Sequence, residues 1–237
     1  MSLRDDALEM HRENQGKLEI TPNVKVTNKQ QLSLAYSPGV AEPCKEIHED
    51  SRKVYEYTIK GNTVAVVTDG TAVLGLGNIG AEASIPVMEG KAALFKSFAG
   101  INGVPIALDT TDTQEIIKTV KLIAPNYGGI NLEDISAPRC FEIEETLKKE
   151  TNIPIFHDDQ HGTAIVTMAG LINALKIVDK ELTNIKVVLN GSGAAGIAIV
   201  KLLHAYGVNN MIMCDSKGAI YSGRNFGMND TKTYVAK

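Results

Sequence analysis

Two acidic pairs, Glu133-Asp134 and Asp158-Asp159, carry the clearest chemical signal in this sequence. Each follows a short apolar run, Gly-Gly-Ile-Asn-Leu before the first and Ile-Pro-Ile-Phe-His before the second. Runs of that length and composition read as buried parallel strands. The carboxylates then fall at strand C-termini, where open α/β sheets bind their ligands. Carboxylates crowded there repel one another unless protons or a cation neutralise them. Hard oxygen ligands without clustered cysteines suit Mg²⁺ or Mn²⁺, with coordination positions left for water or substrate. One pair alone would read as helix caps or exposed acids, because Asp is a common N-cap. Two pairs after consecutive strands favour the metal. His157 and His161 flank the second pair, as ligands or as packed residues behind the ligands.

The elements that must position these acids follow a β-α rhythm. Thr63–Asp69 is a strand, Pro86 to Ala99 a helix, Gly103–Asp109 a strand and Thr113 to Ile123 a helix. After His161-Gly162-Thr163 a long helix runs to about Val178, apolar on most faces and therefore expected to be central. Lys91 sits beside Ala92, Ala93 and Leu94. Either its stem lies along the surface, or it is a buried amine whose lowered pKa makes it a usable base. Upstream, Asp5 to Gly16 reads as a polar helix, and Leu32 to Pro43 as a turn-rich loop with Tyr36 at its entrance. A tyrosine beside a turn usually keeps its hydroxyl in water or on the backbone, and less often serves as an acid.

Two glycine motifs follow strands. Gly75-Leu-Gly77-Asn78-Ile-Gly80 comes several residues after its strand, so it is a weak dinucleotide fingerprint, though such a loop lets a ligand approach backbone closely. Gly191-Ser192-Gly193-Ala194-Ala195-Gly196 has every part in place. It joins strand Ile185–Asn190 to helix Ile197–Gly207, and strand Asn210–Asp215 ends in an acid. Backbone N–H groups at the helix start would hold a pyrophosphate. Asp215 would bond an adenosine ribose and repel a 2′-phosphate, favouring NAD over NADP, with Lys217 and Arg224 near enough to compensate that charge.

At 237 residues the chain suits one large or two small domains. Its 43% hydrophobic and 22% charged residues are ordinary for a soluble globular protein. A net charge of -4 and a pI near 5.8 offer no general attraction to nucleic acid or anionic lipid, so neither is an expected partner. Cys44, Cys140 and Cys214 suit neither a metal knuckle nor a disulfide framework. No signal peptide or bilayer-length apolar run is present, and the cytoplasm is the expected compartment.

From about Leu32 to its last residue the chain resembles a malic enzyme of the short bacterial type. The motifs are Ala-Tyr36-Ser-Pro-Gly-Val-Ala, Thr-Asp-Gly-Thr-Ala-Val-Leu-Gly-Leu-Gly-Asn-Ile-Gly, Met-Glu-Gly-Lys91, Asn-Leu-Glu133-Asp134-Ile, Phe-His-Asp158-Asp159-Gln-His-Gly-Thr-Ala and Gly-Ser-Gly-Ala-Ala-Gly. In this order they are highly specific.

The resemblance implies oxidative decarboxylation of L-malate to pyruvate and CO₂ with reduction of a nicotinamide. It implies an α/β substrate and metal domain over residues 1–160, followed by the start of a Rossmann-type NAD-binding domain over residues 161–237. By position it makes Glu133, Asp134 and Asp159 the metal ligands, Lys91 the general base, Tyr36 the general acid and Asp158 a neighbour tuning Lys91. It also implies a homodimer, in which the loop from Val73 to Gly80 approaches the partner's cofactor. There are two departures. Ala72 stands where larger malic enzymes carry an arginine, and the sequence stops at Lys237 after only two dinucleotide-domain strands, which reads as a truncated chain. Malolactic conversion shares the same framework, and a catalytically silent metal-binding or dimerising fragment is the non-enzymatic alternative.

Overall fold

The structure, a computed structural model, describes residues 2–236. The chain opens with α1 (Leu3–Asn14), where Ser2 and Asp5 bond each other's backbone N–H in a reciprocal cap. Then come α2 (Lys29–Ala35), α3 (Ala41–Glu49) and α4 (Val54–Tyr57). None of these helices contains a buried residue. Ile20, Leu34 and Tyr36 are 99%, 71% and 69% exposed. This arm is tethered at Lys17, whose backbone N donates to Glu89 Oε2 at 3.0 Å and whose Nζ donates to the Pro86 carbonyl at 2.9 Å.

The central sheet is built from β1 (Thr63–Thr68), α5 (Ala81–Ala99), β2 (Asn102–Ala107), α6 (Thr113–Ile123), β3 (Gly129–Leu132), α7 (Arg139–Glu150) and β4 (Ile155–His157). Its strands are parallel in the order β2-β1-β3-β4. Both alternating faces of β1 and β3 are buried, as a parallel sheet covered by helices requires. Met88 and Ala92 of α5 are fully buried, and α5 lies against β2 and β1. Val67 and Leu132 pack with Ile116, Val120, Ile143 and Leu147 of α6 and α7. Ile143 is wholly buried in that layer. Ile143→Ala is expected to cost about 2–5 kcal/mol, the usual span for a buried aliphatic truncation, read as a lower urea midpoint at unchanged slope.

A second sheet follows α8 (Asp158–Ile177) and contains β5 (Val187–Asn190), α9 (Ala194–Ala205), β6 (Met211–Asp215) and β7 (Gly218–Ala219), before α10 (Asp230–Val235). The order is β5-β6-β7, with the first pair parallel and the second antiparallel. Ile197, Val200, Met213 and Ile220 form its core, while Met168 of α8 packs on Leu203 and Val208. The α/β class expected from sequence is thus present in both sheets.

Three local expectations change. Helix α5 starts at Ala81 rather than Pro86, because Gly70 carbonyl accepts the N–H groups of Ile79 and Gly80 at 3.0 and 3.2 Å and turns the chain there. Helix α8 begins at Asp158, so the second acidic pair ends a strand and also opens a helix. That helix is not central: Ile165, Val166 and Ile177 are 56%, 67% and 85% exposed, because no described element covers that side. Among the described residues, no helix is long and apolar enough to cross a membrane, and the cysteines are unpaired.

Candidate active site

Strands β3 and β4 lie side by side, with Leu132 opposite His157. That register delivers both acidic pairs to one place. One oxygen from each of Glu133, Asp134 and Asp159 lies within 4.8 Å of the other two. Asp134 Oδ2 is buried and has no hydrogen-bond partner among the described residues. An orphaned carboxylate oxygen is costly unless something outside the chain meets it. Hard oxygen donors with one buried lone oxygen fit a divalent cation such as Mg²⁺ or Mn²⁺.

The acids carry the electrostatic signature of the same crowding. Burial pushes the Glu133 carboxyl up to about 7, against the pull of Lys91 and of Asn131 Nδ2, which donates to Glu133 Oε2 at 2.7 Å. Burial and then the Asp159 charge push Asp134 up to about 6. Asp159 is raised as well, chiefly by burial.

Helix α5 brings Lys91 to the edge of this group. Its Nζ donates to Asp158 Oδ2 at 2.8 Å and stands 3.2 Å from Glu133 Oε1, with the side chain 23% exposed. Burial pulls the amine's pKa down, but the Asp158 hydrogen bond and the Glu133 and Asp158 charges outweigh it, so Lys91 is raised. Of the two sequence alternatives, the amine is a partly buried one, held by two carboxylate partners that raise its pKa in the metal-free chain.

Tyr36 is not brought to this group. It caps the C-terminal end of α2, exposed, and its hydroxyl bonds nothing among the described residues. His157 and His161 do not join the carboxylate group either. His157 is fully buried with neither ring nitrogen bonded, and burial lowers its pKa. His161 Nε2 lies 2.8 Å from buried Glu144 Oε1, which also accepts the His157 N–H at 3.1 Å. Glu144 therefore ties α7 to the junction that bears Asp158 and Asp159. Nothing in the sequence singled out Glu144. Asn131 was visible in principle, since it lies on β3 two residues before Glu133, which follows the strand's end.

The two glycine motifs lie on different turns, one after β1 and one after β5. Gly191 has φ 131° and joins β5 to α9, and a Cβ at Gly196 would overlap the Gly191 carbonyl oxygen. Ser192, Gly193, Ala194 and Ala195 lie on this turn and the first turn of α9, whose leading N–H groups have no side-chain cap. Gly75, Gly77 and Gly80 have φ of 77°, 74° and 81° in a loop pinned by the Val73–Gly77 bridge. Leu74, Leu76 and Asn78 are exposed there. Asp215 is not a free acceptor. Lys232 Nζ donates to it at 2.8 Å, Lys217 N at 2.9 Å and Arg224 Nη2 at 3.0 and 2.9 Å, holding its carboxyl well below the usual range.

A cleft between α7, α8 and α9 is lined by none of Glu133, Asp134, Asp158 and Asp159. It measures about 630 Å³ and is lined by Phe141, Lys148, His161 and Lys201. Volume is the weaker guide here, since the carboxylates and Lys91 carry the chemistry.

The sequence matches the family models for the malic enzyme N-terminal domain over residues 15–148 and for the malic enzyme NAD binding domain over residues 160–235. It is 71% identical over its full length to the bifunctional malic/malolactic enzyme of Bacillus subtilis, covering 58% of that protein. Over 89% of the chain it is 64% identical to the NAD-dependent malic enzyme of Geobacillus stearothermophilus, covering 44% of it. The crystal structure of the NAD-dependent malic enzyme of Thermotoga maritima superposes with a TM-score of 0.94 at 50% identity, over 98% of this chain and 62% of that one. The chain thus spans about half the length of the curated relatives it matches. With both family models matched in order, Glu133 and Asp134 inside the first and the glycine turn inside the second, the chain belongs to the malic enzyme family.

Proposed function

We propose that the protein carrying this chain converts L-malate to pyruvate and CO₂ with reduction of NAD, using Mg²⁺ or Mn²⁺ held by Glu133, Asp134 and Asp159. The observation that carries this reading is Lys91 Nζ bonded to Asp158 at the rim of the three-carboxylate group. We take residues 1–160 as the substrate and metal part and 161–237 as the start of the dinucleotide-binding part, joined through α8.

When bound, the divalent cation polarises the reacting oxygen and offsets the carboxylate charge that holds the Lys91 proton. The turn from Gly191 to Gly196 would hold the dinucleotide's pyrophosphate, and its nicotinamide would supply the hydride acceptor. Lys91 Nζ takes the proton of the C2 hydroxyl as hydride leaves, and Asp158 aims that amine. Loss of CO₂ then leaves an enolate, and Tyr36 Oη protonates carbon 3. Tyr36 is 69% exposed in one copy and bonds none of Lys91, Glu133 or Asp158, which supports a homodimer in which a second copy's Tyr36 serves the site. The loop of Gly75, Gly77, Asn78 and Gly80 is the segment we assign to the partner's cofactor. A stable, active monomer in sedimentation overturns the dimer.

The test is Mn²⁺-dependent NADH formation from malate; activity unchanged in excess chelator overturns the mechanism. Malolactic conversion is the second reading, supported by the name of the Bacillus subtilis relative. It is separated by whether pyruvate or lactate accumulates. NADP is the second cofactor reading, because Arg224 and Lys232 face a single anion at Asp215.

The raised acids also give a pH prediction. Between the ordinary carboxylate range and about 6 for Asp134, or about 7 for Glu133, the folded chain keeps protons that unfolded carboxylates have lost. The folded state binds more protons there, so metal-free stability falls as pH rises through that window. A cation must displace those protons, so Mn²⁺ affinity rises over the same window. Calorimetry in buffers of different ionisation enthalpy is expected to show proton release on Mn²⁺ binding.

A further inference from the structure

Asp134 has φ 54°, and it is the only member of the carboxylate group in the left-handed region. A residue with a Cβ holds that conformation only where its surroundings over-determine it. Two anchors do so here, both from the loop after β1. Ala72 N donates to the Asp134 carbonyl at 2.9 Å, and Ser136 N donates to Thr71 Oγ1 at 3.0 Å.

Thr71 is itself held. Its hydroxyl donates to Asp69 Oδ1 at 2.6 Å, and Arg139 Nη2 donates to Asp69 Oδ2 at 2.8 Å. The same nitrogen lies 3.0 Å from Thr71 Oγ1 and 3.0 Å from Ser136 Oγ. The Asp69 side chain is 0% exposed, so its charge needs the guanidinium. Arg139 opens α7, immediately beyond the Asp134 turn. The turn is therefore held by an ion pair, buried on the Asp69 side and partly exposed at Arg139, that shares one hydroxyl.

We propose that Thr71 and Arg139 are positioning residues for Asp134, and that the Asp69–Thr71–Arg139 network holds the left-handed turn that aims Asp134 at Glu133 and Asp159. This rests on the metal reading given above. A purely structural role would instead secure α7 to the sheet, changing the melting temperature and leaving the ion's affinity alone.

The experiment titrates Mn²⁺ by calorimetry into the full chain and its variants, with circular dichroism to confirm folding. Thr71→Val keeps the shape and removes the shared hydroxyl. Arg139→Lys keeps the charge opposite Asp69 and loses the planar fork. Each is expected to weaken Mn²⁺ by about tenfold or more, as lost partners of metal ligands do. Thr71→Ser, which restores the hydroxyl, is expected to bind as the unaltered chain does. Unaltered affinity in either folded variant overturns the proposal, whatever happens to the melting temperature. Failure of the unaltered chain to take up Mn²⁺ overturns the metal reading and this inference with it.

Discussion

Lys91→Ala is expected to lower the turnover of malate by about 10²- to 10⁴-fold at saturating substrate and Mn²⁺, the span lost with a general base. Among the described residues the Lys91 amine is the one side-chain cation within ion-pair distance of the carboxylate group, 3.2 Å from Glu133, and it lies 2.8 Å from Asp158. Alanine leaves no group at that position able to take the C2 hydroxyl proton. It also deepens the negative field at the three acids, so Mn²⁺ affinity is expected to hold or tighten. Steady-state kinetics of the protein carrying this chain, with Mn²⁺ calorimetry, checks both parts. Undiminished turnover removes Lys91 from the base role. Lost turnover with lost Mn²⁺ binding would instead make Lys91 a structural residue of the metal group.

Much of this site was legible because it follows strand ends. Apolar runs ending in Glu133-Asp134 and Asp158-Asp159 needed only adjacent pairing of β3 and β4 to converge, and parallel α/β topology makes such pairing common. The turn from Gly191 to Gly196 was legible for a similar reason: strand, glycines and helix are contiguous, so local sequence contains the whole motif. What escaped is held by long-range contacts. Arg139 and Asp69 meet across 70 positions, and although Asp69 stands in the Thr-Asp-Gly-Thr-Ala motif, nothing in that motif points to Arg139. The left-handed turn at Asp134 depends on that meeting, so no local pattern announces it. Lys91 was ambiguous because periodicity places a side chain on a helix face and says nothing of its partners. The start of α5 was hidden by Pro86, which sequence logic puts at a helix start and which here lies inside the helix. The partners of Asp215 were half visible for a related reason: Arg224 was seen as a nearby charge, while Lys232 arrives from α10.

Gly162→Ala is expected to lower kcat on the order of 10²-fold, the scale of misplacing a catalytic group by about 1 Å. Asp158 opens α8 and Gly162 lies one turn on, beneath the same face. A Cβ at Gly162 would intrude on Asp158 Oδ1 more closely than real Cβ atoms approach any neighbour. The carboxylate must therefore swing away and release Lys91 Nζ, which it now holds at 2.8 Å. Alanine favours a helix over glycine by about 1 kcal/mol, so the melting temperature is expected to hold or rise while activity falls. That combination separates a displaced side chain from simple unfolding. Asp158 lies outside the three-carboxylate group, so Mn²⁺ affinity is expected to change little. A double-mutant cycle isolates the route: if Gly162→Ala acts through Asp158, adding it to Asp158→Ala lowers kcat no further. Additive losses would mean that the methyl disturbs α8 itself, and wild-type turnover in Gly162→Ala would show that Lys91 works without an aimed Asp158.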